Sequence, residues 1–591
     1  MQVSLEKYGL CVILYLGLYR PKKEDGMYLD FLVKIPESRG KLLHEKRGDT
    51  TYIKYEYERT YDPKRQYTLP LRATIGKQSK DDATMMQPNQ NFLKYFPEAE
   101  LPLYESRADR SSCLRIGAHT VISKVIRDYK LSEILGLYFK QKELGLFLDL
   151  VTYSIITENN AGQYYPMYAY NHPLFTENMK IYSDSTVSDF LQSITADQSV
   201  GFLNEWNGSR NHREKIYISY DSTNKNCQAG DIEMAEFGKA KVDMGTPIFN
   251  YAIAYDTNNR EPLFYEKYPG SINDVSQIRL TLDKVIGYGY KKIGFILDRG
   301  YFSKSNIEHM DKSGFSFVIM VKGMASFVNQ LIRDHRGSFE NKRVCDMDGY
   351  GLYGKTVKNK LYETDEKERY FHIYHSVTKE AAERTVFEEK LRKMKAYLLA
   401  HVNKEIDFGQ IFQHYYYMHY EESTNVFVYP EERINTTEKE IELCGYFVIV
   451  TSDKMTAKEA IRLYKSRDTS EKLFSGDKSY LGNKSIRVHS DESASAKIFI
   501  EFVALIVRSR MYTNLLDEMK KMNKKSNYMT VPAAIRELEK IEMVRQTDNI
   551  YRLDHAVTAT QKTILGAFDL NESHIKNRAT EISNSLQKNK K

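Results

Sequence analysis

The sequence predicts an α/β protein whose mixed sheet is flanked by helices, and three observations lead to this fold class. Strand-like stretches follow one another through residues 214–269, which is typical of an antiparallel meander. Short apolar strands then alternate with helical stretches up to residue 320, as expected for strands joined by crossover helices. The same alternation resumes with a strand at residues 444–452 and a long helix after it.

Length and composition exclude several protein classes. The 591 residues exceed what one hydrophobic core organises, so we expect about three to five domains or sub-domains. Hydrophobic residues make up 41% and charged residues 28%, which favours a globular chain over a disordered one. No apolar run reaches the ~18 residues of a membrane-spanning helix. The apolar stretch at residues 8–20 lacks a cleavage site, so we interpret it as a buried strand and not as a signal peptide.

The five cysteines favour a reducing compartment. They are far apart and include no C-x-x-C pair, so a disulfide framework and a cysteine zinc site are both disfavoured. We therefore expect a cytoplasmic protein with no membrane partner.

Positive charge is concentrated at the two ends of the chain. The net charge is +7, but residues 1–80 hold 16 Lys and Arg against 10 acids, and residues 575–591 hold 5 against 1. These ends could be arms that contact phosphates, and they could equally be ordinary solvated surface.

The first 200 residues predict a β-rich part and a helical part. Residues 50–76 alternate Thr and Tyr with charges, which indicates a hairpin with one wet face, and residues 77–110 are polar and expected to be rich in loops. Residues 116–157 have a helical pattern. This helical module could bind DNA, and it is at least as compatible with a purely structural role.

Two aspartates follow predicted strands. Asp221 is expected at the end of one strand, and Asp298 ends the most apolar strand. Because an isolated buried carboxylate is costly, such residues need a partner. On neighbouring strands, with a third acid from a helix, they would supply the hard oxygen ligands that Mg²⁺ prefers. The alternative is that both cap turns and pair with Arg299 or Lys225.

A helical stripe near residue 470 combines an acid, two cations and a phenol. Tyr464, Arg467, Glu471 and Lys478 fall within about 60° of arc at ~100° per residue. Glu471 suits a metal ligand, while Arg467 suits a bidentate phosphate contact. An exposed, salt-bridged helix face explains the same stripe equally well, since Arg467 and Glu471 are an i,i+4 pair.

The spacing of this stripe resembles the signature of a large group of insertion-sequence DDE transposases. Tyr464, Arg467, Glu471 and Lys478 match that signature at every spacing. Asp221, within YDSTN, then corresponds to the first acid of the family. The resemblance extends firmly over residues 214–512 and loosely over the N-terminus.

The second acid and its surroundings fit the same family. Asp298, within LDRGYFSKSNI, corresponds to the second acid, and EPLFYEKYPGSINDVSQI resembles the hairpin and helix of the family through Pro269, Gly270 and Asp274.

The resemblance implies an RNase H-like catalytic domain and a two-metal reaction. Asp221, Asp298 and Glu471 would be the catalytic residues and would hold two Mg²⁺ ions, for which Mn²⁺ can substitute. The implied activity is DNA strand cleavage and strand transfer at the inverted-repeat ends of a mobile insertion sequence. The implied partners are double-stranded end DNA, target DNA and a second subunit in a homodimer.

The resemblance also implies how the DNA end is held and where the protein works. Tyr464, Arg467 and Lys478 would bind the end near its 5′ phosphate. A cytoplasmic, nucleoid-associated location in a prokaryote follows from the same resemblance.

One departure from the family concerns the aromatic residue on which some members stack a flipped base. The only tryptophan, Trp206, precedes Asp221 and does not lie in the insertion. A tyrosine of the insertion could take that role, or simply pack. The candidates are Tyr350, Tyr353 and Tyr415–Tyr417.

These observations predict six regions. They are a basic β-rich region for DNA-end binding (1–110), a helical DNA-binding or linker module (111–205), the first catalytic part (206–320), a partly β insertion domain (321–454), the second catalytic part (455–515) and a helical C-terminal region for dimerisation (516–591).

Two other functions remain open at this stage. One is a catalytically inactive DNA-binding protein derived from a transposase, and the other is an RNase H-like DNA nuclease or resolvase. The first is disfavoured because all three acids are present, and the second would need neither the insertion nor the cationic stripe.

Overall fold

The computed structural model describes most of the chain. The described residues are 28–29, 31–38, 41–63, 66–101, 110–210, 214–227, 232–238, 246–272, 274–468, 481, 485–486, 488–525, 527–547 and 550–588. The apolar stretch 8–20, Glu471 and Lys478 lie outside this part of the chain, so their predicted roles stay predictions.

The strands of the described residues are numbered in chain order. They are β1 (Val33–Lys34), β2 (Leu42–Arg47), β3 (Thr50–Asp62), β4 (Tyr67–Gln78), β5 (Met85–Pro88), β6 (Cys113–Arg115), β7 (Ile216–Cys227), β8 (Ile248–Asp256), β9 (Glu261–Pro269), β10 (Ile293–Leu297), β11 (Ser316–Met320), β12 (Tyr353–Lys360), β13 (Glu368–His375), β14 (Tyr416–Tyr420), β15 (Phe427–Glu432), β16 (Tyr446–Thr451), β17 (Ser485–Ile486), β18 (Glu542–Arg545) and β19 (Tyr551–Leu553).

The α-helices are numbered in the same way. They are α1 (Gln90–Tyr95), α2 (Gly117–Asp128), α3 (Leu131–Gly136), α4 (Gln141–Thr157), α5 (Tyr165–Asn171), α6 (Asp184–Ser193), α7 (Ala196–Gly208), α8 (Asp274–Gly287), α9 (Lys304–Lys312), α10 (Ala325–His335), α11 (Val377–Leu399), α12 (Gln410–Tyr415), α13 (Ile434–Ile441), α14 (Ala457–Ser466), α15 (Asp491–Lys521), α16 (Val531–Leu538), α17 (Ala559–Gly566) and α18 (Glu572–Lys588). None of the helices in the described ranges is both long and apolar enough to cross a membrane.

The chain divides into two compact units. Unit 1 combines the described residues of Met1–Lys124, Pro166–Ile181 and Pro532–Lys591. Unit 2 combines those of Val125–Tyr165 and Tyr182–Val531.

Unit 1 contains two antiparallel sheets. The strand order β1-β5-β4-β3-β2 forms a five-stranded sheet, whose core includes Ile53, Ile75 and Phe92. The order β19-β18-β6 forms a three-stranded sheet that joins distant parts of the sequence. The predicted hairpin at residues 50–76 is therefore confirmed. Residues 77–110, expected to be loop-rich, also contain β5 and α1, and the C-terminal region expected to be helical also contains β18 and β19.

Unit 2 is built on one mixed sheet with the order β12-β13-β16-β11-β10-β7-β8-β9, and β17 pairs with β7 in addition. β7, β8 and β9 form an antiparallel meander, whereas β10 runs parallel to both β7 and β11. The mixed sheet flanked by helices that the sequence predicts is therefore confirmed. The predicted helix beginning at Asp274 is also present, as α8.

A long buried helix forms the core on one side of unit 2. Most residues of α15 are buried, and it packs against α4, α6 and β9. Phe499 lies at its centre, with ring centroids 5.0 Å from Phe147 and 5.3 Å from Phe202. The apolar run 498–512 is thus core, as its composition predicted.

The predicted insertion, residues 321–454, contributes to the central sheet and also forms a cluster of its own. β12, β13 and β16 continue the sheet beyond β11. The remaining hairpin, β14–β15, packs with α11 around a separate core that includes Leu391, Tyr416 and Phe427. The sequence predicted that the insertion is partly β but not that it extends the main sheet.

Candidate active site

Two aspartates occupy adjacent positions on the parallel strands β7 and β10, with Asp221 inside β7 and Asp298 directly after β10. In the register of β7 and β10, Leu297 pairs with Tyr220, so the next positions are Asp298 and Asp221. Neighbouring strands are ~4.8 Å apart, and paired positions point their side chains to the same face of the sheet. The two aspartates that the sequence singled out are therefore brought together.

Close packing of β7 on β10 fixes this register. Gly294 pairs with Tyr217, and a Cβ atom at Gly294 would lie 2.4 Å from the Tyr217 ring. The Tyr217 ring therefore lies directly over Gly294, where a larger residue would clash with it. Tyr217 and Asp221 are four residues apart on β7, so they share one face of the strand.

The two acids leave their strands in different ways. Asp298 follows the last residue of β10, and its carbonyl accepts a hydrogen bond from the Tyr301 amide at 3.0 Å. Asp221 does not end its strand, contrary to the sequence-based expectation, because β7 continues to Cys227 in an antiparallel pairing with β8. β7 therefore runs on past the point where β10 stops. The side chain of Asp298 is 37% exposed, and Asp221 is half-buried.

An arginine at the end of α14 contacts the second acid. Arg467 Nη1 lies 3.0 Å from Asp298 Oδ1, and the Arg467 side chain is only 15% exposed. Its guanidinium carbon is 5.4 Å from the centroid of the Tyr464 ring. Two members of the predicted helical stripe, Tyr464 and Arg467, are therefore neighbours beside the carboxylates.

The local sequence of α14 explains how it delivers Arg467. A capping box of Thr456 and Glu459 starts the helix, since the Thr456 hydroxyl accepts from the Glu459 amide and the Glu459 carboxylate accepts from the Thr456 amide. The buried face of α14 then packs against Ile296 of β10 through Ile461 and Tyr464. The next residue on this face is Arg467, which reaches Asp298.

Tyr464 is a core residue as well as a neighbour of Arg467. It is 6% exposed and belongs to the hydrophobic cluster around Ile296 and Ile461. The Tyr464 ring also lies beside the Arg467 guanidinium and limits its position.

Glu471 and Lys478, the other members of the stripe, lie outside the described residues. The chain on both sides of them is described. α14 and its C-cap Arg467 lie at Asp298, and the chain returns as β17, which pairs in parallel with Asn226 and Cys227 of β7. Among the described residues alone, no cluster of three or more His, Cys, Asp or Glu side chains is placed to hold a metal ion.

The aromatic residues considered for base stacking divide into buried and exposed ones. Trp206 is fully buried, and its indole donates to the Pro262 carbonyl at 3.0 Å. Tyr415 and Tyr416 are buried in the core of the β14–β15 hairpin, and Tyr353 is half-buried. The exposed candidates are Tyr350 and Tyr417.

A buried ion pair on the strand that carries Asp221 was not predicted. Lys225 and Glu501 are 0% and 2% exposed, and Nζ lies 2.9 Å from Oε2. Lys225 follows Asp221 by four residues on β7, while Glu501 belongs to α15. The only signal in the sequence is a lysine within a strand-like stretch, which was an alternative partner for the two aspartates.

Part of unit 2 matches a known protein family. Residues 219–507 match the family described as the transposase DDE domain. This DDE-domain match covers just under half of the chain and spans Asp221, Asp298 and Glu471. It supports a DDE-type transposase, a class of enzymes that cut and transfer DNA strands.

Two further comparisons were made. The structure of a piggyBac transposase synaptic complex with hairpin DNA is similar at 8% identity and a TM-score of 0.33, over 78% of this chain and 82% of that chain. This likeness is too distant to bear on function. No curated protein matches the chain.

Proposed function

We propose that the protein is a DNA transposase that cleaves the inverted-repeat ends of an insertion sequence and transfers them to target DNA. The observation that carries the proposal is the adjacency of Asp221 and Asp298 on parallel strands within the DDE-domain match. The strand order β9-β8-β7-β10-β11, with a meander followed by parallel strands, supports the RNase H-like catalytic domain implied by the sequence.

The residues present fit a divalent metal site. Asp221 and Asp298 offer carboxylate oxygens, the donors that Mg²⁺ and Mn²⁺ prefer. The guanidinium of Arg467 already lies at 3.0 Å from Asp298, so this position favours positive charge. We assign Asp221, Asp298 and Glu471 as ligands of two Mg²⁺ ions. When bound, the ions activate the attacking oxygen and stabilise the leaving oxygen of a phosphodiester.

Covalent geometry supports Glu471 as the third acid. Glu471 follows Arg467 by four residues, a span of at most about 14 Å even in a fully extended chain. Arg467 contacts Asp298, and the segment that contains Glu471 is followed by β17 beside β7. Both flanks of this segment are thus anchored to the two strands that carry the aspartates.

Arg467, Tyr464 and Lys478 are proposed to form the site that holds the DNA end. The planar guanidinium of Arg467 can donate two parallel hydrogen bonds to a phosphate, whereas Lys478 supplies a point charge. Because Tyr464 is 6% exposed, its part is to position the Arg467 guanidinium and not to stack on a base. A homodimer that brings two ends together is part of the same proposal.

The test is an assay with linear DNA that carries the element ends, with Mg²⁺. The wild-type protein should cut the ends and join them to a target. Asp298→Asn and Glu471→Gln should bind the same DNA and cut it at least about 1,000-fold more slowly, because each removes a charged metal ligand. Asp283→Asn is the matched control, since Asp283 is an exposed acid on α8 whose side chain is 65% exposed.

Each result has a distinct meaning. Cutting without joining identifies a nuclease or resolvase, and binding without cutting identifies an inactive derivative; either result excludes a transposase. Normal cutting by Asp298→Asn or Glu471→Gln would defeat the assignment of the metal ligands.

A further inference from the structure

A two-stranded ribbon extends beyond the five-stranded sheet of unit 1. β2 accompanies β3 only as far as Tyr55, and β5 accompanies β4 only from Gly76. From Glu56 to Asp62, β3 pairs with β4 and with no other described strand. At ~3.4 Å per residue this free section is about 20 Å long. A two-stranded ribbon is only marginally stable in water, so a long one calls for a partner.

The base of the ribbon is held firmly by the core of the sheet. Tyr57 stacks on Tyr95 of α1, with ring centroids 5.0 Å apart and planes 15° apart. Tyr55 contacts Phe96 with ring centroids 4.9 Å apart. The ribbon therefore leaves the sheet in a fixed direction.

A bulge gives the ribbon one cationic face. The register shifts between Glu56 and Glu58, so Glu56 and Arg59, three residues apart, share a face. Arg59 Nε donates to Glu56 Oε1 at 2.6 Å, and Arg72 Nη2 donates to Oε2 at 3.2 Å from the opposite strand. The Arg59 and Arg72 side chains are 68% and 40% exposed, while Glu56 is 9% exposed. One buried carboxylate thus holds two guanidinium groups at the surface.

The two faces of the ribbon differ in charge. Tyr61 lies beyond Arg59 on the cationic face, is 59% exposed and pairs with Thr68. The acids Glu58 and Asp62 fall on the opposite face by strand alternation. The cationic face therefore combines guanidinium groups with phenol and hydroxyl donors.

We propose that the cationic face of the β3–β4 ribbon enters the major groove of duplex DNA, and that it is the part of unit 1 that binds the element ends. The inference deepens the proposed transposase function and rests on it. B-DNA's major groove is about 12 Å wide and admits a two-stranded ribbon. Arg59 and Arg72 would reach phosphates along the groove, with Tyr61 between them and the end of the ribbon. Because Glu56 fixes both guanidinium groups, less side-chain freedom is lost on binding.

Duplex DNA fits this surface better than a further protein strand. Pro70 lies in β4 opposite Arg59 and has no amide hydrogen, so it interrupts the donors along the β4 edge. The charge of the face complements phosphate. Pairing with a strand of a second copy is the competing occupant and is an outcome of the test.

The first experiment measures binding of a fluorescent 30-base-pair mixed-sequence duplex by anisotropy, in a chelator so that no cutting occurs. The variant is the triple substitution Glu56→Gln, Arg59→Gln and Arg72→Gln, which removes both cations without leaving a buried carboxylate unpaired. Its affinity should fall at least about tenfold near 0.1 M salt. The slope of log affinity against log salt should decrease by about 1.8, for two lost phosphate contacts.

The matched control is Arg47→Gln in the same sheet. Arg47 is also exposed and also paired with a glutamate, Glu45, which keeps Lys54 as a partner when Arg47 is removed. Affinity and salt slope should stay at the wild-type values. A second ribbon variant, Tyr61→Ser, touches only the exposed face and should weaken binding several-fold even if the triple variant folds poorly. Equal behaviour of Arg47→Gln and both ribbon variants would overturn the proposal.

The second experiment tests the groove. A duplex whose cytosines carry bulky C5 substituents, which fill the major groove, should bind the wild-type protein as weakly as the unmodified duplex binds the triple variant. Unchanged binding of the filled duplex overturns the major-groove proposal. Loss of self-association in the triple variant, with unchanged DNA binding, would instead assign the ribbon to a second copy. Since both experiments are done without metal, their failure is distinct from a failure of the wild-type protein to cut DNA.

Discussion

At the residue scale, Arg467 links the cationic stripe to the carboxylates. The sequence suggested Arg299 as the alternative partner of Asp298, but Asp298 is paired with Arg467 at 3.0 Å. Arg467 is held between this carboxylate and the Tyr464 ring. A guanidinium in this position offsets part of the repulsion between two adjacent carboxylates, and it is within reach of any phosphate that approaches them.

We expect Arg467→Lys to be a severe substitution although it conserves charge. Lysine cannot reproduce the planar fork of the guanidinium, and a charge-assisted hydrogen bond is worth about 1.5–3 kcal/mol. DNA-end cleavage should therefore fall about 10- to 100-fold, with little change in melting temperature. The control is Arg462→Lys, an exposed arginine on the same helix. Equal activities of the two variants in the cleavage assay would count against a role for Arg467.

Sequence reasoning singled out two aspartates that occupy adjacent positions in the sheet, but it did not predict the contact between Asp298 and Arg467. Asp221 and Asp298 could be found because each sits on a strand of recognisable pattern. The contact between Asp298 and Arg467 could not, because it depends on how α14 packs on β10. Likewise the sequence offered Lys225 only as an alternative partner of the aspartates, and it did not predict the ion pair of Lys225 with Glu501 of α15, 276 residues later.

At the element scale, β7 is held at two points along its length. Its first half pairs with β10 and presents Asp221 at the end of that pairing. Its second half is tied to α15 by the Lys225–Glu501 pair, and the Lys225 ammonium also lies 4.7 Å from the Tyr251 ring centroid. The buried pair therefore links the strand of the first acid to the longest helix of unit 2.

Breaking this pair should destabilise the protein strongly, because it removes the cation that lies 2.9 Å from a buried carboxylate. We expect Lys225→Met to lower the free energy of unfolding by about 3–5 kcal/mol. The double variant Lys225→Met, Glu501→Leu should recover most of that loss. Urea unfolding measures both. Lys393→Met, in an exposed pair with Glu389, is the control and should cost less than about 1 kcal/mol.

The periodicity of apolar residues predicted regular helices and strands well. It did not predict which residues share a face where a strand is irregular. The strands β3 and β4 and the helix α8 follow their sequence patterns closely. The bulge at Tyr57 breaks the two-residue alternation of side chains along β3. Arg59 therefore lies on the same face as Glu56, whereas simple alternation would place the two on opposite faces. The extension of the sheet by β12 and β13 could not be predicted either, since it depends on pairing with β16.

At the scale of the whole molecule, stability should depend on pH through a buried histidine of the central sheet. His372 lies between Thr356 and Thr451, with ring nitrogens 2.9 and 3.0 Å from their hydroxyls. Burial lowers the pKa of His372 to about 4. The neutral ring is therefore favoured in the folded state. The contribution of His372 to the free energy of unfolding is complete above pH 6.5. It is lost as the pH falls towards 4, because the histidine of the unfolded chain takes up a proton at a higher pH than the buried one.

This dependence can be measured with His372→Gln. Between pH 7 and 5, protonation of the unfolded chain should cost the wild-type protein about 2 kcal/mol of unfolding free energy at this position. His372→Gln has no histidine at this position and does not lose this free energy. The difference in unfolding free energy between the wild-type protein and the variant should therefore be about 2 kcal/mol smaller at pH 5 than at pH 7. Urea unfolding at both pH values provides the measurement. An equal stability difference between the two proteins at pH 7 and pH 5 would contradict this account.

The three-stranded sheet of unit 1 can form only late in biosynthesis. β6 needs β18 as its neighbour, and Arg115 on the first strand pairs with Glu542 on the second, 427 residues later. At 5–20 residues per second, the ribosome reaches β18 about 20 to 90 s after it has made β6. Until then, the edge of β6 that pairs with β18 stays without that strand. A polypeptide released before residue 542 would carry Asp221, Asp298 and Glu471 but could never complete this sheet.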